Sequence, residues 1–342
     1  MEPLVSILIP AFNAERWIGD TIASALAQTW QRKEIIVVDD GSTDQTLSVV
    51  RQFASKEVSV ATQTNQGAAA ARNKAFSLCQ GDYIQWLDAD DLLAPDKITK
   101  QVEALDRCRS NRTLLSSAWG RFIYRSHKAD FTPTPLWCDL SPIEWLLRKW
   151  SQNLYMPPLT WLVSRELTEA AGPWNIRISL DDDGEYFCRV VRASDGIQFV
   201  PEARTFYRKG FDSLSCLSRS KKKLESQFLS LYLQVGYLRS VEDSERVRAA
   251  CLAGLQAWLP VFYPERLDLV KQMEQLASIL GGELASPQLS WKYAWIQRIL
   301  GWTAAKQTQL YYNQCKSAAL RSWDKIPFHL DKQNAPGRKS GP

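Results

Sequence analysis

Three carboxylates in four positions, Asp88-Ala89-Asp90-Asp91, close the apolar run Tyr83-Ile84-Gln85-Trp86-Leu87. Strand side chains alternate faces, so two aspartates one residue apart can aim at one point. Crowded carboxylates repel unless a cation lies between them. A hard divalent ion such as Mg2+ or Mn2+ takes oxygen ligands and often only one or two from protein, the rest coming from phosphate and water. Taken alone, such a cluster is more often a solvated turn. A second acidic group, Asp181-Asp182-Asp183-Gly184-Glu185, precedes Phe187, Val190 and Val191, which give a helix one apolar face. Carboxylates at that end are favoured by the helix dipole whatever else they do. The two histidines, His127 and His329, are far apart, which disfavours a histidine triad or zinc site. Acid–base catalysis would fall to carboxylates.

The elements around these groups alternate between strand and helix. Val5 to Ile9 is a short strand closed by Pro10, with Asn13 placed to cap a helix over Ala14 to Gln28. Glu34 to Val38 is a continuous apolar strand of the kind buried on both faces of a parallel sheet. It ends in Asp39-Asp40-Gly41-Ser42-Thr43-Asp44, a turn that opens the next helix. Val58 to Val60 is a weak third strand, and Gly67 to Leu78 is a small-residue helix carrying Arg72 and Asn73. This order predicts an α/β fold with a mixed, mostly parallel sheet flanked by helices. Ligands of such sheets bind beyond the carboxyl ends of the strands. Pro10–Asn13, Asp39–Asp44 and Asp88–Asp91 should therefore meet on one rim.

The remaining chain has a different grain. Thr113 to Tyr124 reads as a strand pair, Phe131 to Pro142 as a loop and Ile143 to Trp150 as a helix. A strand is expected near Val163, and two more over Ile197–Pro201 and Arg204–Tyr207. Beyond Leu217, apolar residues recur at helical spacing, which predicts three or four amphipathic helices. The expected organisation is a domain over 1–215, halved near residue 112, then a helical extension over 216–330 and a disordered tail over 331–342.

The chain has 342 residues and a net charge of +5. Its seven dispersed cysteines show no Cys-x-x-Cys pair, which fits a reducing compartment better than a disulfide framework. No apolar run approaches the roughly 20 residues of a membrane span, and Met1 to Ser6 lacks the features of a signal peptide. A cytoplasmic location, with a peripheral position at the inner face of the membrane as an option, follows as an expectation. No nucleic-acid motif accompanies the basic residues.

Val5-Ser6-Ile7-Leu8-Ile9-Pro10-Ala11-Phe12-Asn13, Ile36-Val37-Val38-Asp39-Asp40-Gly41-Ser42-Thr43-Asp44, Ala71-Arg72-Asn73 after Gly67, and Gly81-Asp82-Tyr83-Ile84 leading to Asp88-Ala89-Asp90-Asp91 together resemble a family 2 glycosyltransferase. The resemblance spans the first hundred residues in order and loosens toward residue 215. It implies a GT-A (Rossmann-like) fold, a nucleotide-sugar donor with UDP favoured, a divalent metal (Mn2+ or Mg2+) and inversion at the anomeric carbon. By the same resemblance Pro10, Phe12 and Asn13 line the base, Asp39 and Asp40 accept from base or ribose with Asp40 preferred for the base, and Arg72 reaches base or diphosphate. Asp88 holds ribose and joins Asp90 at the metal, Asp91 supports the loop, and Arg208 contacts the diphosphate in a closing segment that includes Ser213 and Ser215. Where relatives carry a Glu-Asp pair, this chain has Asp182-Asp183. Asp183 is thus the implied base and Asp182 its alternate, with a one-place shift to Asp181 open. Trp161 and Glu185 are implied acceptor contacts, and Phe187 is assigned to the core.

The implied reaction is transfer of a sugar to a glycan or lipid-linked acceptor in polysaccharide or other glycan assembly. The alternatives are an inactive nucleotide-sugar or glycan-binding scaffold and, less favoured, a nucleotidyltransferase, for which Pro10–Ala14 is neither Gly-rich nor basic enough. Trp291 to Trp302 mixes Trp, aliphatic and basic residues at helical spacing. Core packing and peripheral membrane contact both suit that pattern.

Overall fold

A computed structural model describes residues 2–108, 110–209, 220–287 and 291–334, and of 329–334 the backbone only. Strands β1 (Val5–Ala11), β2 (Lys33–Asp39), β3 (Val58–Thr62) and β4 (Tyr83–Trp86) form a parallel sheet in the order β3-β2-β1-β4. The two-residue β7 (Val163–Ser164) adds to β4 antiparallel. In-register pairing of Val5 with Lys33 and with Tyr83 brings the carboxyl ends of β1, β2 and β4 to one rim, as expected. Every residue of β1 is buried. That is why a mostly aliphatic run, broken only by the buried Ser6 and with no polar alternation, fits there.

Helices α1 (Ile18–Leu26), α2 (Thr46–Arg51), α3 (Ala68–Leu78) and α4 (Lys97–Ala104) connect this half. A second sheet contains β5 (Leu92–Leu93), β6 (Thr113–Phe122) and β8 (Gly196–Arg208), in the order β5-β8-β6. The expected strand pair over 113–124 is one strand of ten residues. The two expected final strands are one strand, β8, whose register against β6 shifts between Ser117 and Ala118. An irregularity of that kind bends a strand without ending it.

Helices α5 (Pro142–Ser151), α6 (Arg165–Ala171) and α7 (Asp182–Ala193) follow, then α8 (Lys221–Val241), α9 (Glu245–Phe262), α10 (Leu267–Ile279) and α11 (Ala294–Asn334). The four helices after residue 220 match the expected periodicity. Leu224, Leu231, Val235 and Leu238 of α8 and Leu255, Leu259 and Phe262 of α9 share one core cluster with Trp86, Trp150, Tyr186 and Phe187. Helices α8–α10 therefore continue the core of the sheet layer. The expected closing residues Ser213 and Ser215 lie outside the described residues, as does 335–342 of the expected tail; the backbone of α11 runs to Asn334. Among the described residues no helix is long and apolar enough to cross a membrane.

Candidate active site

The loops after β1 and β2 are stapled together. Asn13 does not cap α1; its backbone is left-handed (φ 48°) and its Oδ1 accepts from Thr43 N at 2.8 Å. Asn13 N donates to Ser42 Oγ, and Ala14 N to Thr46 Oγ1. Phe12 is left half-exposed on the rim. Asp39 and Asp40 are both buried but differently employed. Asp40 accepts from Gln66 N, Gly67 N and Gln63 Nε2, which fixes the entry to α3. Anionic oxygens are favoured at that end of a helix. Gly67 stands there with φ 92°, a conformation glycine adopts without cost. Both Asp40 oxygens are thus occupied. Asp39 Oδ2 accepts from Ser42 N, while its buried Oδ1 has no partner among the described residues.

Arg72 is the hub of the site. From α3 its Nη2 donates to Asp88 Oδ1 at 2.7 Å and its Nη1 to Asp182 Oδ2 at 2.5 Å. The guanidinium lies 4.3 Å from the Trp174 ring, which stacks in parallel on Tyr186 at 3.9 Å. Asn73, next in sequence, exchanges two hydrogen bonds with the Trp174 backbone and so holds that ring in place. The neighbouring carboxylates push the Arg72 pKa further up against the opposing effect of burial. It is a fixed positive charge between the strand-end acids and the α7 acids.

In the strand-end group, burial first and then Asp88 push Asp90 up to about 6. Burial, then Asp90 and Asp88, push Asp91 well above the usual carboxylate range. Asp91 Oδ1 accepts from Arg208 N, and its Oδ2 is buried without a partner among the described residues. Arg208 is buried, with Nε on the Asp90 carbonyl, Nη1 on the Ile123 carbonyl and its plane 3.9 Å over Trp17. It clamps the acidic loop. Among the described residues no preformed group of three metal-ligating side chains stands out. The crowded carboxylates of Asp88, partly exposed, and Asp90, largely desolvated, nonetheless suit a hard divalent ion that arrives with a diphosphate and needs only one or two protein ligands.

The α7 acids divide among distinct tasks. Asp181 is left-handed (φ 59°), and its Oδ2 accepts from Ser230 Oγ, Gln227 Nε2 and Gln234 Nε2 of α8. Gly184 makes this fold-back geometry feasible, because a Cβ there would lie 2.1 Å from Asp181 Oδ1. Asp182 pairs with Arg72. Glu185, an expected acceptor contact, is 1% exposed at its side chain and paired with Arg189, with Tyr237 Oη donating to it. It is an internal brace. Asp183 is not engaged in an ion pair among the described residues, and it lines a cavity of about 670 Å³. Burial first, then Asp182 and Asp181, push it up to about 7 against the opposing pull of Arg72.

That cavity lies between the β6–β8 sheet and helices α5, α8 and α9. Trp119, Tyr155, Tyr207 and Trp258 line it, together with the cations Arg121, Lys149 and Lys209. None of these was singled out for this role from sequence, because it takes β6, α5 and α9 to bring them together. Trp161, the other expected acceptor contact, is fully buried, stacked on Phe187 and edge-on to Trp145. A large ring at a site-flanking position carries no sequence mark that separates core from pocket. Phe187 is in the core as expected.

The profile described as "Glycosyl transferase family 2" matches residues 6–130. That stretch carries the likeness to the family. An uncharacterised glycosyltransferase of Haemophilus influenzae is 46% identical over 103 residues, 29% of this chain and 41% of that protein. The putative teichuronic acid biosynthesis glycosyltransferase TuaG of Bacillus subtilis is 42% identical over 105 residues, 30% of this chain and 42% of TuaG. The chain thus spans about two fifths of the length of these relatives. The mannosyltransferase PcManGT of Pyrobaculum calidifontis, solved in complex with GDP-Man and Mn2+, superposes with a TM-score of 0.55 at 18% identity, over 95% of this chain and 88% of that one. That likeness is one of fold, and it supports the GT-A architecture.

Proposed function

We propose that this chain is an inverting, metal-dependent glycosyltransferase that moves a sugar from a nucleoside diphosphate to an acceptor hydroxyl in glycan assembly. One observation carries the reading: Arg72 ties Asp88 of the donor rim to Asp182, which leaves the next residue, Asp183, facing a cavity with its affinity for protons raised. Donor and acceptor sides are thereby held one residue apart.

The base would lie over the loops after β1 and β2, against Phe12 and Pro10, with Asp39 Oδ1 as acceptor for a base N–H. The engagement of Asp40 by Gln63, Gln66 and Gly67 favours Asp39 for this task. Asp88 holds ribose. Asp90, with Asp88, would hold the divalent ion, which supplies Lewis-acid stabilisation of the departing diphosphate. Arg72 fixes the two carboxylates, and Arg208 acts by holding the acidic loop. Asp183 takes the proton from the acceptor hydroxyl as its oxygen bonds to C1 from the face opposite the diphosphate, and the C1–O bond to the diphosphate breaks with inversion. Arg121, Lys149 and Lys209 suit an acceptor that carries an anionic group.

The test is transfer from UDP- and GDP-sugars with Mn2+ by wild type and Asp183→Asn. Transfer by the variant should fall by roughly 10²–10⁴-fold, the usual weight of general-base catalysis, with donor binding retained. Full transfer by Asp183→Asn would move the base elsewhere, and metal-independent donor binding would remove the metal.

A further inference from the structure

Helix α11 turns an apolar stripe away from the protein. Tyr312, Cys315, Ala319, Trp323 and Ile326 recur every three or four residues, the spacing of one helix face. Along this stripe Tyr312, Trp323 and Ile326 are 56%, 77% and 65% exposed. The opposite face makes the internal contacts. Asp324 accepts from Tyr124 N and Arg125 Nε, and Phe328 packs on Tyr124. Nearer its start, Trp302 packs on Tyr263, and Lys306 donates to Glu265. The helix is anchored at both ends by mixed polar and aromatic contacts, and the stripe is left facing solvent. An ordinary surface helix would show charged and polar side chains along such an outward line. The preceding turn repeats the pattern: Trp291, Trp295 and Ile299 are spaced by four and are all more than 60% exposed. Gly301, with φ 82°, separates the two pieces.

Charge on this segment is one-sided. Residues 291–328 contain six cations, Lys292, Arg298, Lys306, Lys316, Arg321 and Lys325, and one acid, Asp324. The acid is paired inward with Arg125. Lys292, Arg298, Lys316 and Lys325 are exposed. A second copy of the chain would set cations against cations on this face. Trp and Tyr bordered by Lys and Arg, with no outward carboxylate, is the composition of a helix lying in the interface of an anionic bilayer.

We infer that residues 291–326 form an interfacial docking face for anionic lipid, with the apolar stripe among the acyl chains and the lysines and arginines at the headgroups. The attraction of the exposed cations to such a surface is lost as salt screens it. The face carries none of the proposed catalytic groups, so docking and sugar transfer can succeed or fail separately.

The experiment is flotation of the full chain with vesicles of phosphatidylcholine alone and of phosphatidylcholine with roughly one third phosphatidylglycerol. Wild type should float with the anionic vesicles and be released by high salt. The triple substitution Tyr312→Ser, Trp323→Ser, Ile326→Ser should weaken binding by at least roughly tenfold while leaving the thermal transition in place, since these side chains are solvent-exposed. Lys316→Glu with Lys325→Glu should weaken it separately. Failure of wild type to float with anionic vesicles, or equal flotation with both kinds, overturns the inference. So does a dimer in light scattering that the triple substitution dissociates without any effect on flotation.

Discussion

Asp183 and Arg72 differ in what their removal should reveal. Asp183 is pushed up to about 7 by burial and by Asp182 and Asp181, and a base must be ionised to work. Transfer should therefore rise with pH through about 7 and level off above it; a flat profile between pH 5.5 and 8.5 would exclude Asp183 as the base. The same shift fixes the sign for stability. A folded-state pKa above the unfolded value of about 3.9 means that the folded protein binds the extra proton in between. The stabilisation is complete below the unfolded value and is lost as pH rises through about 7. Asp183→Asn should thus raise the melting temperature at pH 8 and change it little at pH 4. Arg72 is the converse case. Arg72→Gln strips the counter-charge from Asp88 and Asp182, whose side chains are 30% and 16% exposed. The cost is roughly 2–3 kcal/mol of stability, less than for a wholly buried pair because solvent screens Asp88. Arg72→Lys restores the charge without the two-pronged geometry, so it should recover more stability than transfer.

At the scale of elements, the first turn of α7 is shaped from outside. Asp181 takes three side-chain hydrogen bonds from α8, and Ser226 Oγ of α8 accepts from Ser179 N and Leu180 N. Gly184→Ala would push a methyl group into the Asp181 carboxylate. It should reduce transfer about as much as loss of the base while leaving nucleotide affinity near wild type, because none of the proposed donor contacts lies on α7. Calorimetry with nucleotide and Mn2+ beside the transfer assay would separate the two effects; equal losses in both would mean that the turn is not a local acceptor-side device. The limits of sequence reading appear at this same place. Strands β1, β2 and β4 were legible because mostly apolar runs closed by Pro or Asp are local signals, and so was the rim where they end. Strands β5 and β7 have two residues each and exist only through their partners. The acid run at 181–185 was legible as a group but not in its division of labour, since Ser230, Gln234 and Tyr237 lie about fifty residues away. Asp39 and Asp40 likewise look equivalent in sequence, and only the entry to α3 distinguishes them.

For the whole molecule, the question is whether the family 2 part can stand without the helices that follow it. Sequence reading drew a boundary near residue 215. The packing argues for a shared core: Leu231, Val235 and Leu238 of α8 meet the same cluster as Tyr186 and Phe187, and a Cβ at Gly254 of α9 would fall 2.2 Å from the Trp150 ring. Helices that approach so closely are not loosely tethered. Removing residues 220–342 would uncover Trp150, Tyr186, Phe187 and the apolar side of α7 together. Each large apolar side chain returned to water costs about 1.5–3 kcal/mol, and a few of them match the whole stability of a typical domain. It would also leave Asp181 without its hydrogen-bond donors in the remaining protein. A chain ending at residue 219 should accordingly be insoluble or lack a cooperative melt, whereas one ending at residue 287, which keeps α8–α10 and loses only the exposed apolar helix, should melt cooperatively and bind nucleotide with Mn2+. A soluble, cooperatively folded 1–219 fragment with wild-type nucleotide affinity would show that the C-terminal helices are a separable module after all.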